Sequence, residues 1–284
     1  METNSGHRDQ EQANERLIDV EEVFASKNPA LLKLIPGFVI RYLKRITHQD
    51  EINAFLGRKG HLKGAEFGRA ILDLFGAKYE TEGLEKIPEN GRYIFASNHP
   101  LGGLDGIALL VATSHKFTHL KFPVNDILMN LKPLDNIFVP INKHGGHSRG
   151  AARDIEDAYK SDAQVLMFPA GLVSRKQKGI IRDLEWKKNF VRKAIQHQRD
   201  IVPVHISGRN SDFFYRFARI RKKLGIKANI EMLYLPDEMF KQYNENLHIT
   251  FGEPISWKQL KESGTQESWA RKIKDKSYEL SKNH

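Results

Sequence analysis

At 284 residues, with 40% apolar and 28% charged positions, the chain suits one large α/β domain with an extension, or at most two domains, and is not wholesale disordered. It contains no cysteine, which excludes thiol nucleophiles, disulfides and Cys-based zinc sites. Lys and Arg number 45 against 35 Asp and Glu, and the surplus of +10 favours acidic partners such as nucleic acid, anionic lipid or an acidic carrier protein.

Residues 1–15 read as a hydrophilic, disordered tail without the apolar core of a signal peptide. No stretch approaches the ~18 apolar residues needed to span a bilayer, so any membrane contact is expected to be peripheral. A cytoplasmic protein on the inner face of the cell membrane is the expected location. Across 28–46, Leu31, Ile35, Phe38, Val39, Tyr42 and Ile46 recur at helical spacing among Lys33, Arg41, Lys44 and Arg45. This predicts an amphipathic helix, interrupted at Pro36-Gly37, which either rests its apolar face in an anionic membrane surface or covers the core. A second helix is predicted over 66–76, with Phe67, Ile71, Leu74 and Phe75 on one face. Residues 16–78 thus read as an N-terminal helical, membrane-facing region, and 79–284 as an α/β domain.

From residue 79 short apolar runs predict strands near 93–96, 120–124, 137–141, 165–168, 201–206, 230–235 and 247–251. Helical patterns over 104–114, 147–160 and 184–198 fall between several of them, and the last thirty residues read as a polar helix. The fold class expected is α/β, with a mostly parallel central sheet flanked by helices. Ligands on such sheets gather outside the carboxyl ends of the strands.

Three segments at such ends carry chemistry. Asn98-His99-Pro100-Leu101-Gly102-Gly103-Leu104-Asp105-Gly106 places an imidazole and a carboxylate on one glycine-rich turn. His99 can act as general base, and Asp105 can fix its tautomer and stabilise the imidazolium that forms. Gly102 and Gly103 allow the tight turn that brings them together. Alternatively, Asp105 is the N-cap of a helix beginning at Gly106. Phe168-Pro169-Ala170-Gly171-Leu172-Val173-Ser174-Arg175-Lys176 offers backbone N–H groups, a hydroxyl and two cations for a polar or anionic head group. The third segment ends a strand in Asn142-Lys143.

Taken in order, with the later Val202-Pro203 strand, these segments resemble the lysophospholipid acyltransferase superfamily, which includes glycerol-phosphate and lysophosphatidic acid acyltransferases. The resemblance covers roughly 79–255. It implies His99 as general base and Asp105 as its orienting partner. It also implies an acceptor site drawn from Asn98, Gly102, Gly103, Asn142, Lys143, Phe168, Pro169, Gly171, Ser174, Arg175 and Lys176. The implied reaction moves a fatty acyl group from acyl-carrier protein or acyl-CoA to the hydroxyl of a lysolipid, with no cofactor beyond that thioester. Two departures narrow it. Five residues rather than four separate His99 from Asp105, as in the hemolysin-labelled branch and in O-acyltransferases of amino-acid-containing lipids. Ala170 replaces the family's usual Glu, and Leu172-Val173 its Thr-Arg, which removes part of the expected phosphate grip and favours a lyso-aminolipid.

Two rival readings remain at this level. Gly146-His147-Ser148-Arg149-Gly150 matches a nucleophile elbow, with His144-Gly145-Gly146 imitating an oxyanion loop, so a serine esterase using Ser148 is one alternative. A non-catalytic peripheral membrane-binding protein is the other. Scattered cations without a recognition motif argue against nucleic acid, and no metal-ligand spacing is present.

Overall fold

The computed structural model describes residues 18–27, 34–141 and 148–283. The expected tail, the first turns of the 28–46 helix, Asn142, Lys143 and the 144–147 loop lie outside the described residues. The chain divides into two compact units, residues 1–60 and 61–284.

The first unit holds α1 (Val20–Lys27), α2 (Gly37–Ile46) and α3 (Gln49–Lys59), and a short turn at Thr47-His48 joins α2 to α3. Asn53 brackets the backbone of Ile18 with both ends of its amide, and Gln49 accepts the Val20 N–H at 2.9 Å. Pro36 sets the start of α2, where the pattern predicted an interruption. Ile40, Leu43 and Ile46 are buried, whereas Phe38 is 66% and Tyr42 38% exposed beside Arg41 and Arg45. Ile46 therefore leaves the exposed apolar face to which its spacing assigned it.

The second unit is a seven-stranded sheet. Its strands are β1 (Lys78–Glu82), β2 (Tyr93–Ser97), β3 (Leu120–Val124), β4 (Phe138–Pro140), β5 (Gln164–Met167), β8 (Asp200–Ile206) and β9 (Asn246–Phe251). The order is β1-β9-β8-β2-β5-β3-β4, parallel throughout except where β9 runs against β8. β2 sits at the centre and all five of its residues are buried, as an apolar run in a two-sided sheet requires. Ile94 and Ala96 face a core of Trp186, Phe190, Leu260, Trp269 and Ile273, from α7 (Asn189–His197), the segment before it, α10 (Trp257–Glu262) and α11 (Gln266–Glu279). The alternate residues Tyr93 and Phe95 meet Phe117 and Phe251 on the other face. The helices α4 (Gly64–Phe75) and α5 (Leu104–Ser114) also belong to this unit. α5 is buried almost all round, in keeping with its near-continuous apolar sequence. α4 thus groups with the sheet, not with the N-terminal helices.

Other departures have local causes. The run 230–235 is a 3-10 turn (Ile230–Tyr234) leading into α9 (Leu235–Phe240), with Pro236 in its first turn. A short apolar run does not distinguish strand from helix, and Leu-Pro-Asp-Glu is a helix start. The predicted 184–198 helix begins only at Asn189, because 183–188 carries bonds to the site. Before it, β6 (Arg175–Gln177) and β7 (Ile180–Arg182) form a hairpin, whose two-residue turn places Lys178 and Gly179 at φ 49° and 85°.

Candidate active site

β2, β5 and β8 are adjacent and parallel, so the loops leaving their carboxyl ends converge. Asn98 closes the first of them. Its amide accepts the Ile206 N–H at 2.7 Å and donates to the Ile206 carbonyl at 2.9 Å, extending the β2–β8 pairing by one step. Both amide functions are occupied and buried, so Asn98 positions the turn and is not available to an acceptor.

The turn then delivers His99 to Asp105. The imidazole Nδ1 lies 2.9 Å from Asp105 Oδ2. That oxygen also accepts the N–H groups of Leu101 (2.9 Å) and Gly102 (3.3 Å), and Oδ1 accepts that of Gly106 (2.9 Å). α5 starts at Leu104, so Asp105 is a residue of its first turn and not an N-cap. Gly102 has φ +89°, and a Cβ there would stand 2.7 Å from Leu235, which is why glycine is required. Asp105 is completely buried. Burial pushes its carboxyl up, but the His99 charge and the N–H donors outweigh that and hold it below the usual carboxylate range. A charged Asp105 keeps the proton of neutral His99 on Nδ1 and leaves the Nε2 lone pair free. Nε2 has no protein partner among the described residues, and the side chain is 16% exposed.

Phe168, from the end of β5, stacks on the imidazole with centroids 3.8 Å apart and planes 13° apart. It fixes the plane in which Nε2 points. The rest of that segment is turned inward more than its sequence suggested. The Gly171 N–H closes on the Phe168 carbonyl at 3.0 Å and the Ser174 N–H on the His99 carbonyl at 2.8 Å, so neither is free for an anion. The Pro169 carbonyl accepts the Lys187 N–H. Arg175 is buried, donating to Glu231 (2.8 Å) and to the Val173 carbonyl (2.7 Å), and Arg221 shares Glu231 from the other side. Its expected role at a head group is corrected accordingly: it clasps β6 to the 3-10 turn. Lys176 pairs with Asp212 at 3.2 Å, at the start of α8 (Asp212–Lys223). Gly103 is the N-cap residue of α5, with Met239 close by.

Asp183 escaped the sequence reading. Its Oδ1 accepts the His99 backbone N–H (3.2 Å) and the Ser174 hydroxyl (2.5 Å), and Oδ2 accepts Trp186 Nε1 (2.9 Å). Its own N–H donates to the Tyr278 hydroxyl, and Lys274 donates to its carbonyl. Burial and the Asp183 charge push the Tyr278 phenol far up, so it stays neutral. One residue thus ties the turns together: its carboxylate holds the β2 and β5 turns, and its backbone holds α11. Asp183 stands immediately before the predicted 184–198 helix, where no local pattern marks it. Asp183→Ala is expected to lower kcat by about tenfold to a hundredfold through misplacement of His99, with a smaller change in acceptor KM. Steady-state kinetics beside a thermal melt check this, and a change confined to the melt would reduce Asp183 to a brace of the fold.

The esterase alternative finds no support. β4 ends at Pro140 and Ser148 opens α6 (Ser148–Lys160), so among the described residues no strand runs into that serine.

The Acyltransferase family model matches residues 22–284. The lyso-glycine lipid O-acyltransferase of Bacteroides thetaiotaomicron is 51% identical over 265 residues, covering 93% of this chain and 97% of that protein. The lyso-glycine lipid O-acyltransferase of Phocaeicola vulgatus is 48% identical over 265 residues, covering 93% and 95%. The crystal structure of the 1-acyl-sn-glycerophosphate (LPA) acyltransferase of Thermotoga maritima aligns with a TM-score of 0.46 at 16% identity, over 86% of this chain and 92% of that one.

Proposed function

Because this chain belongs to the acyltransferase family, we propose that it transfers a fatty acyl group from an acyl-carrier protein or coenzyme A thioester to the hydroxyl of a lyso-glycine lipid. The observation that carries the mechanism is the His99–Asp105 contact at the carboxyl edge of the sheet. The acceptor hydroxyl gives its proton to His99 Nε2 while its oxygen attacks the thioester carbonyl. The C–S bond then breaks, and the departing sulfur takes the proton back from the imidazolium. Asp105 holds the tautomer and balances the transient positive charge. With no cysteine in the chain, the transfer is direct, without a thiol acyl-enzyme.

The acceptor is supported by the relatives' names and by the second loop. Ala170 is buried against Trp186 and Phe190, and Val173 against Phe214 and Tyr215. The positions where a phosphate-binding pattern carries Glu and Arg therefore present only methyl groups to the core. The exposed Phe38 and Tyr42 of α2, flanked by Arg41 and Arg45, suit the interface of an anionic membrane. No helix among the described residues is long and apolar enough to cross a membrane.

Purified protein incubated with lyso-glycine lipid or lysophosphatidic acid, and either thioester, tests this by mass spectrometry. The O-acylated glycine lipid is expected to form at least about tenfold faster than phosphatidic acid, the margin that one or two lost polar contacts produce. Equal rates on the two acceptors would overturn the acceptor assignment, and no transfer to either would overturn the activity.

A further inference from the structure

We propose that the outward face of α8, with the turn that follows it, is a docking surface for an anionic bilayer built into the second unit beside the His99 turn. It extends the peripheral-membrane reading above to the unit that carries the chemistry.

α8 has two apolar faces. Phe214, Tyr215 and Ala218 are buried and pack it inward. On the other side Phe213 and Ile220 are each 47% exposed and Leu224 is 70% exposed, followed by Ile226 at 38%. Phe213, Phe217, Ile220 and Leu224 are spaced four, three and four residues apart, so they form one stripe along the helix. Phe213 and Phe217 stack at 5.9 Å and both meet Tyr234, which stiffens the start of the stripe. Arg216, Arg219 and Lys223 run along one flank, and Lys222 and Lys227 add charge nearby. These five cations are exposed and have no ion-pair partner among the described residues. Arg221, on the inward side, is by contrast held by Glu231.

Large apolar side chains standing out of a cation-bordered helix are the composition of an interfacial helix. An anionic bilayer offers phosphates to the cations and acyl chains to the exposed Phe213, Ile220 and Leu224 along the whole stripe, so lipid is the occupant assigned. The placement is equally specific. Asn210, just before α8, donates to the Pro100 carbonyl at 3.1 Å, and the inner face of the helix packs on Val173. The outer face therefore stands one helix thickness, about 10–12 Å, from the catalytic turn.

The cysteine-free chain makes a site-specific test available. Leu224→Cys supplies a single thiol for an environment-sensitive nitrobenzoxadiazole label, and Glu89→Cys supplies a remote control. With vesicles of equal phosphatidylglycerol and phosphatidylcholine, emission at 224 is expected to rise about threefold and shift to the blue, with no change at 89. The Arg216→Gln/Arg219→Gln/Lys223→Gln variant is expected to partition into these vesicles about tenfold or more less well, at an unchanged melting temperature. Four results would each overturn the proposal: no vesicle binding, a label that stays aqueous while the protein sediments with vesicles, partitioning of the triple variant within about twofold of the parent, or a label that answers acyl-carrier protein but not vesicles. Each of these readouts is independent of acyl transfer, so failure of the proposed activity would be recognised separately.

Discussion

His99→Ala is expected to lower kcat/KM about a thousandfold or more at neutral pH while leaving the melting temperature nearly unchanged. The imidazole is partly exposed and lies at the sheet's edge, so its removal opens little of the core. What disappears is, among the described residues, the one group placed to take a proton there, because Asp105 is buried behind it and Ser174 donates to Asp183. Activity within about tenfold of the parent would remove His99 from the mechanism. Partial rescue by added imidazole would tie the loss to the base itself. Asp105→Asn is expected to match the loss in rate and to add one in stability. Asparagine has one acceptor oxygen where Asp105 receives four donors on two, so at least one N–H among His99, Leu101, Gly102 and Gly106 loses its partner. A buried donor left without a partner costs about 1–3 kcal/mol. The two roles of Asp105, orienting the imidazole and holding the turn, are therefore one arrangement. The double variant should be scarcely worse in rate than either single one.

The parts of this fold visible in the sequence are those whose patterns are local. β2 holds a four-residue apolar run, Tyr93–Ala96, between turn residues, and α5 follows a glycine-rich loop, so both could be placed within a residue or two. His99 and Asp105 could be paired because a single short turn connects them. Residues whose meaning depends on distant partners could not be read. Arg175 looks like a free cation until Glu231, fifty-six positions away, is folded against it. Asp183 looks like an ordinary polar residue just ahead of the predicted helix until the turns after β2 and β5 arrive at its carboxylate. β1 was missed because Lys-Tyr-Glu-Thr-Glu is an edge strand, mostly exposed and without an apolar run. α8 was missed for the opposite reason, since apolar residues on two faces blur a single helical stripe. The geometry of the candidate turn was thus legible, and the scaffold that holds it was less so.

The second large effect is at the other edge of the sheet, where Arg199→Met is expected to cost about 3–5 kcal/mol of stability. Arg199 is completely buried and forms no ion pair among the described residues. Its guanidinium donates to the carbonyls of Tyr159 and Ala163 at 2.8 Å each, to those of Tyr93 and Ala158 at 3.4 Å, and to that of Ser161. Ala158 and Tyr159 lie in the last turn of α6, whose carbonyls have no partners within the helix. Ala163 and Tyr93 stand at the starts of β5 and β2, so one side chain closes a helix end and two strand ends at once. Burial lowers its pKa to about 10, which still leaves it charged at neutral pH. Methionine would fill much of the space but strand several buried acceptors, and lysine could reach only part of the set from a single nitrogen. A fall of about 10 °C in melting temperature is expected for methionine, with lysine recovering less than half. His99 follows the carboxyl end of β2 while Arg199 precedes the amino end of β8, so kcat measured well below the melt should stay within about twofold of the parent. A melt within about 2 °C of the parent would mean that water satisfies these carbonyls and that the guanidinium is not the clasp.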